Sequence, residues 1–230
     1  MKNRKISKRT EKLLIKSLKA KFIKIYKKKI KIKNSRLSLL IAGGKSPLKL
    51  YRELSKIHID WSRIDFFLTD ERFVSLKSIY SNYRNIYDNF LKKIKINKKQ
   101  IYFVNTNFKS PTKVVLDYQN KIKKYFHNKN LYFDIAILGM GLDGHIASVF
   151  SNNENLKKSS IVSMVIKKDF KRITINLNII NNSKNIYLWL NHKKKVIAFN
   201  KHIKMNNKDV PVNFLKKNKT LIFAKSITQQ

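Results

Sequence analysis

The chain has 230 residues and a mass of 27.3 kDa, which suffices for a domain with a well-buried core. Its 52 Lys and Arg against 13 Asp and Glu leave a formal net charge of +39. It has no cysteine, which excludes disulfides and thiolate catalysis and fits a cytoplasmic location.

A charge of this size often indicates binding to nucleic acid or to an anionic membrane. Only eight of the 52 basic residues are Arg, however, and Lys, Asn and Ile are spread along the whole chain. Arg is the usual reader of base edges and phosphates, so we interpret the charge mainly as compositional drift. We predict no specific nucleic-acid partner and no membrane partner.

The chain begins with a basic stretch that has no continuous apolar core or cleavage site, unlike a secretory signal. Nowhere does an apolar run approach the roughly 18 residues that a membrane span needs. Apolar residues near the start instead recur at helical spacing and predict a first helix. They are Leu13, Leu14, Leu18, Phe22 and Ile25.

Strand and helix patterns then alternate along the chain. Strands are predicted at 36–42, 63–68, 101–104 and 133–139 and in the segments RITINL, IYLWL and TLIFA, with helices in SPLKLYRELSKI, in SNYRNIYDNFLKKI, at 111–126 and at about 194–204. This order predicts an α/β fold with a largely parallel, Rossmann-like sheet flanked by helices on both faces. No repeat, linker or break in composition divides the chain, so a single domain over 1–230 is expected.

All five glycines lie in two loops that directly follow predicted strands. They are Gly43, Gly44, Gly139, Gly141 and Gly144. A tight turn without a ligand would explain either loop alone, but a chain that makes its other turns with Asn and Lys has kept glycine where the backbone needs positive φ or approaches a ligand closely. Because ligands of such sheets bind at the carboxyl ends of the strands, both loops are candidate sites.

The first loop, GGKSP, combines consecutive backbone N–H groups with a Ser46 hydroxyl before a predicted helix, and so predicts a phosphate cradle. It is not a Walker loop, and no nucleotide is implied. The next loop holds Asp70, Glu71 and Arg72 in TDERF, where a carboxylate could hold the Arg72 guanidinium while it grips a phosphate. The alternative is a surface ion pair.

His145 follows Asp143 by two residues in GLDGHIAS, at the expected start of a helix. Neutral imidazole is a natural general base for water, and a neighbouring carboxylate can fix its tautomer. A purely structural histidine is the alternative. The other four histidines show no metal-ligand spacing, so no metal is predicted.

Together these motifs resemble the glucosamine-6-phosphate isomerase/6-phosphogluconolactonase family, on its lactonase side. The resemblance covers about 37–198 and rests on IAGGKSPLKLYREL, on WSRIDFFLTDERFVSLKSIYSNYRNI and on FDIAILGMGLDGHIASVF, with a less well kept match in RITINLNIINNSKNIYLWLNHKKKVIAF. It implies hydrolysis of 6-phospho-D-glucono-1,5-lactone in the pentose phosphate pathway, without cofactor or metal.

The resemblance also implies a role for each matching residue. His145 would be the general base and Asp143 would orient it. Asn191 stands where the family usually has glycine, so the choice of Lys194 over Lys193 and Lys195 rests on spacing alone. The candidate substrate-binding residues are Gly43, Gly44, Lys45, Ser46, Asp70, Glu71, Arg72, Arg172 and Lys194.

Two alternatives remain. An amino-sugar-phosphate deaminase or isomerase would share the fold, but its usual Phe-Asn-Glu after the GHIA motif is here Ser148-Val149-Phe150. A nucleic-acid-binding module would use the +39 charge, yet Tyr and Phe lie mostly within predicted strands and amphipathic helices. The expected partner is a phosphorylated sugar lactone, and the expected assembly is a monomer or homodimer.

Overall fold

The computed structural model describes residues 5–127, 129–151 and 159–226. The strands are β1 Lys5–Arg9, β2 Leu37–Ile41, β3 Ile64–Leu68, β4 Asp70–Arg72, β5 Ile101–Tyr102, β6 Ile135–Leu138, β7 Val162–Ile166, β8 Lys171–Ile175, β9 Asn185–Leu190 and β10 Thr220–Lys225. The helices are α1 Glu11–Ile30, α2 Leu48–Leu54, α3 Asn82–Asn89, α4 Pro111–Tyr125, α5 Leu177–Asn182 and α6 Lys193–Met205.

The main sheet has seven strands in the order β1-β10-β9-β6-β2-β3-β5, and all neighbouring pairs are parallel. Strands β2, β3 and β6 are buried along their whole length, which explains their mostly apolar sequences. The predicted fold class is therefore confirmed. Strands β6 and β2 are adjacent near the middle of the sheet, so the loops that follow them meet at one edge.

The two faces of the sheet are covered by different helices. Helices α1, α2 and α3 pack with Leu39 and Ile41 of β2 in one hydrophobic cluster. Helices α4, α5 and α6 pack with Leu40 in the other cluster. This division follows from the two-residue period of a strand, which points successive side chains to opposite faces.

A second, antiparallel sheet of order β4-β8-β7 extends from the carboxyl end of β3. The segment RITINL is therefore a strand, as predicted, but it lies outside the parallel sheet. The TDER segment, expected as a polar loop, contains strand β4, because its backbone pairs with β8 in the register Asp70 to Thr174 and Arg72 to Arg172. Ile173 and Ile175 of β8 share the hydrophobic cluster of the main sheet.

Other differences lie at element ends. Strand β1 was not predicted, because its backbone pairing with β10 needs no apolar pattern in a Lys-rich segment. The third predicted strand is shortened to β5. Helix α1 is confirmed, although Leu13 points outward with 45% of its surface exposed. Among the described residues, no helix is both long and apolar enough to cross a membrane.

Candidate active site

A cavity of about 180 Å³ opens at the carboxyl edge of the main sheet, above β2, β3 and β6. It brings together most of the residues that the motifs predicted, from all three loops. Gly43, Glu71, Asp143 and Lys194 do not line it. The lining residues are Ala42, Gly44, Lys45, Ser46, Pro47, Asp70, Arg72, Asn82, Gly139, Met140, Gly141, His145, Ala147, Arg172 and Lys195.

The two glycines after β2 have different surroundings. A Cβ on Gly43 would lie 2.6 Å from Cγ and 2.7 Å from Cα of Asn82, so glycine is needed there for the start of α3 to approach. A Cβ on Gly44 would meet nothing within 4 Å. Because Gly44 lines the cavity, the space beside it is available to a bound molecule.

One of three consecutive lysines at the start of α6 reaches this loop. The Lys195 ammonium donates a hydrogen bond to Ser46 Oγ at 2.7 Å, and burial lowers the Lys195 pKa. Lys193 and Lys194 are exposed. Successive helical residues point about 100° apart, so only one of the three can face the cavity. Spacing from the sequence favoured Lys194, whereas the geometry favours Lys195.

The two carboxylates of the DER segment point to opposite sides of β4. Asp70 lines the cavity and accepts hydrogen bonds from Thr69 Oγ1 and Ser148 Oγ, both at 2.7 Å. Glu71 is fully buried and accepts hydrogen bonds from the Arg72 N–H and, at the start of α3, from the N–H groups of Asn82 and Tyr83 and the Ser81 hydroxyl. Burial raises the Glu71 pKa to about 7 despite these donors. Glu71 therefore anchors α3 beneath the cavity.

Arg72 and Arg172 lie directly opposite each other across β4 and β8, and both line the cavity. Arg72 Nη1 donates to Tyr80 O at 3.0 Å and to Asn82 Oδ1 at 2.9 Å, so an amide and a carbonyl hold it, and not the neighbouring carboxylate that was expected. Arg172 donates to Asp169 Oδ2 at 2.5 Å.

The Nε atoms of both arginines are buried and have no hydrogen-bond partner within the described residues. Two like charges directly opposite on a sheet are unfavourable by themselves, and an orphaned buried N–H also costs free energy. A bound anion would relieve both penalties, so this pair has the chemistry of an anion site.

The loop after β6 forms the other side of the cavity. Nδ1 of His145 lies 2.6 Å from Oδ1 of Asp143, and the side chain of His145 lines the cavity. Burial raises the pKa of Asp143, but its hydrogen bond with His145 and the charge of that ring outweigh burial and bring the pKa to about 2. With Nδ1 donating to this carboxylate, Nε2 of His145 keeps a lone pair that can accept a proton.

Two glycines make this arrangement possible. A Cβ on Gly141 would overlap the His145 ring and lie 2.5 Å from Oδ1 of Asp143, so the pair packs directly on bare backbone. Gly144 has a φ of +84°, a conformation that L side chains rarely adopt. The glycines of the motif thus set the local backbone that places the histidine.

His145 does not begin a helix, contrary to the sequence prediction. Ile146 and Val149 instead form an isolated bridge around a turn, in which Ala147 has a φ of +53°. A left-handed residue cannot continue a right-handed helix. The turn brings Phe150 against the His145 ring, with the ring centroids 4.6 Å apart.

Several residues of the site were not predicted as site residues, and the sequence analysis named Ser148 and Phe150 only as a departure from the deaminase pattern. Asn82 bridges the DER segment by donating to Asp70 O and accepting from Arg72. Ser148 and Phe150 contact Asp70 and His145 respectively. The Asn82 signal was its position next to Ser81, the N-cap of α3. Within the described ranges, no group of three or more His, Cys, Asp and Glu side chains could hold a metal ion.

The fold and the cavity together define an α/β protein with a cavity at the carboxyl edge of its sheet that is lined by Arg72, Arg172 and Lys195. The chain belongs to the family of glucosamine-6-phosphate isomerases/6-phosphogluconolactonase, which it matches over residues 9–223. The resemblance drawn from the motifs is therefore confirmed.

Relatives and solved structures agree with this membership. The chain is 31% identical over 214 residues to 6-phosphogluconolactonase of Thermotoga maritima, with 92% of each chain covered. It is 34% identical over 168 residues to a probable 6-phosphogluconolactonase of Dictyostelium discoideum, which covers 68% of this chain and 70% of that protein. The crystal structure of the Thermotoga maritima enzyme superimposes with a TM-score of 0.85 at 27% identity, covering 98% of this chain and 100% of that one.

Proposed function

We propose that this chain hydrolyses 6-phospho-D-glucono-1,5-lactone to 6-phosphogluconate with water activated by His145. The relatives named 6-phosphogluconolactonase indicate a hydrolase that acts on a lactone ester. The observation that carries the mechanism is a His145–Asp143 pair beside a cavity lined by Arg72 and Arg172, whose buried Nε atoms lack a partner among the described residues.

The positive groups of the cavity bind the phosphate and fix the substrate. Arg72, Arg172 and Lys195 supply the charge, Ser46 supplies a hydroxyl, and the open space beside Gly44 admits the phosphate oxygens. Lys195 takes the role that spacing had assigned to Lys194. Lys45 is exposed but lines the same cavity, and adds charge at its rim. An anchored phosphate holds the lactone carbonyl in position for attack.

His145 acts as the general base. Its Nε2 takes a proton from water as the water oxygen bonds to the lactone carbonyl carbon, which gives a tetrahedral oxyanion. The carbon–ring oxygen bond then breaks as the carbonyl re-forms, and the imidazolium returns its proton to the departing ring oxygen. Asp143 stabilises the imidazolium, because its lowered pKa keeps it ionised. The products are the open-chain hydroxyl and a carboxylic acid, which loses its proton to solvent to give the carboxylate.

Asp70 binds a sugar hydroxyl. Its two carboxylate oxygens accept from Thr69 and Ser148, which holds the group rigidly at the cavity wall. A carboxylate has about four acceptor sites, so it can also accept from a substrate hydroxyl. Glu71, also a candidate from the sequence, supports the site from beneath.

The family also contains isomerases, and the cavity argues against that reaction here. Asp70 is the one carboxylate among the described residues that line the cavity. Phe150, which packs on His145, occupies the position at which the deaminase pattern has a glutamate. We also propose that 1–230 form one domain, because one hydrophobic cluster joins residues of both sheets. A cytoplasmic location, a monomer or homodimer, and the absence of a specific nucleic-acid partner remain part of the proposal.

The test is hydrolysis of freshly generated lactone, followed by proton release and compared with the spontaneous rate. Wild type should accelerate the reaction, and His145→Ala should lose about 10³-fold in kcat. His58→Ala, at an exposed histidine outside the cavity, is the matched control and should retain wild-type activity. A folded wild type that leaves the spontaneous rate unchanged would contradict the lactonase proposal.

A further inference from the structure

A second histidine contacts the loop that carries His145. Nε2 of His202, on α6, lies 2.9 Å from the carbonyl oxygen of Leu142. Leu142 is the residue between Gly141 and Asp143, so this contact holds the backbone just before the catalytic pair. Since a carbonyl oxygen only accepts, the imidazole donates.

The same helix face reaches the other half of the site. His202 follows Lys195 by seven residues, which is about two helical turns, so both side chains point to the same side of α6. Lys195 binds Ser46 in the loop after β2, and His202 binds Leu142 in the loop after β6. One rigid element thus touches both the phosphate side and the base side.

The contact is part of a packed interface. A Cβ on Gly144 would lie 3.2 Å from Cδ2 of His202 and would overlap Val210, so the loop rests directly on both side chains. The Val212 N–H donates to Gly144 O at 3.1 Å, and the Asn213 amide donates to His202 O at 3.1 Å. The loop is therefore held by residues that do not themselves line the cavity.

We infer that His202 is a positioning residue, which holds the Leu142 carbonyl so that the His145–Asp143 pair stays aligned beside the bound phosphate. This inference rests on the proposed function. It predicts that loss of the hydrogen bond slows the chemical step and leaves phosphate binding intact, because Lys195 and the two arginines lie outside the contact. Small misplacements of a catalytic group are costly in rate.

The test compares His202→Gln, which can place an amide donor near the Nε2 position, with His202→Met, which keeps a similar volume without a donor. Lys201→Ala, at an exposed position on the same helix, is the control. We expect kcat to fall about 10-fold in the Met variant, while KM changes less than about 2-fold. In the Gln variant, which keeps a donor, kcat should be close to the wild-type value.

Amide hydrogen exchange tests the inference without activity. Gly141 N–H donates to His145 O and Gly144 N–H donates to Gly141 O, so these amides report on the loop. Their exchange should accelerate about 10-fold in His202→Met and remain near wild type in the Gln variant and the control. Unchanged exchange and kcat in His202→Met, or equal losses in Met and Gln, would overturn the inference. If wild type lacks lactonase activity, the proposed function fails while the exchange result still decides the role of His202.

Discussion

The two sides of the cavity are built in different ways. The base side is one short segment, in which His145, Asp143 and Gly141 contact one another within five residues. The cation side is assembled from three distant segments, with Arg72 on β4, Arg172 on β8 and Lys195 on α6. A local motif can therefore determine the geometry of the His145–Asp143 pair, whereas the cluster of positive charge exists only after the chain has folded.

Gly141→Ala is expected to have the largest effect, and it should act on the base side alone. The added methyl group would overlap His145 and displace it from Asp143, so kcat should fall about 10³-fold, as for loss of the base. Steady-state kinetics and product binding measure this directly. Circular dichroism and urea unfolding of Gly141→Ala check that the variant remains folded. Wild-type kcat in Gly141→Ala would show that the pair does not depend on bare backbone.

The stability of the protein should depend on pH through Glu71, which holds the start of α3 next to the cation side. Its pKa is about 7 in the folded protein against 4.5 ordinarily, so the folded state binds more protons between these values. The stability that Glu71 contributes is then complete below about pH 4.5 and is lost as pH rises through 7. The free energy of unfolding is measured with urea for wild type and for Glu71→Gln. The difference, wild type minus variant, should fall by up to about 3 kcal/mol as pH rises across this window.

Subtracting the free energy of unfolding of the Gln variant cancels the pH dependence that comes from the other titratable groups. Glu53→Gln, which loses a partly exposed pair with Lys56, should show no such fall with rising pH. A difference that rises with pH would mean that the four donors keep Glu71 ionised.

The smallest expected effect separates the neighbouring lysines. Lys195→Met should raise KM about 10-fold with a smaller change in kcat, because it removes one charge from the phosphate and leaves the base in place. Lys194→Met, at an exposed position, should retain the wild-type KM. A raised KM in Lys194→Met together with an unchanged KM in Lys195→Met would instead assign phosphate binding to Lys194, as the sequence spacing predicted.

Most of the main sheet was predictable from sequence. Strands such as Leu37–Ile41 and Ile135–Leu138 are buried on both faces and therefore appear as apolar runs between glycine-containing loops. Strand β1 was not predictable, because an edge strand formed by backbone hydrogen bonds leaves no pattern in a segment rich in lysine. The prediction of a helix at His145 was wrong because Ala147 adopts a left-handed conformation there. Nothing in the sequence indicated this, because Ala by itself favours a helix.

For the site, the sequence by itself determined the glycine-rich loops, the spacing of Asp143 and His145, and the placement of these loops directly after predicted strands. These depend on interactions between residues a few positions apart. Only the tertiary structure decided that Lys195 and not Lys194 faces Ser46, that Arg172 lies opposite Arg72, and that Glu71 is buried while Asp70 lines the cavity. Those choices follow from the rotation of a helix and the register of strands, which packing of distant segments sets.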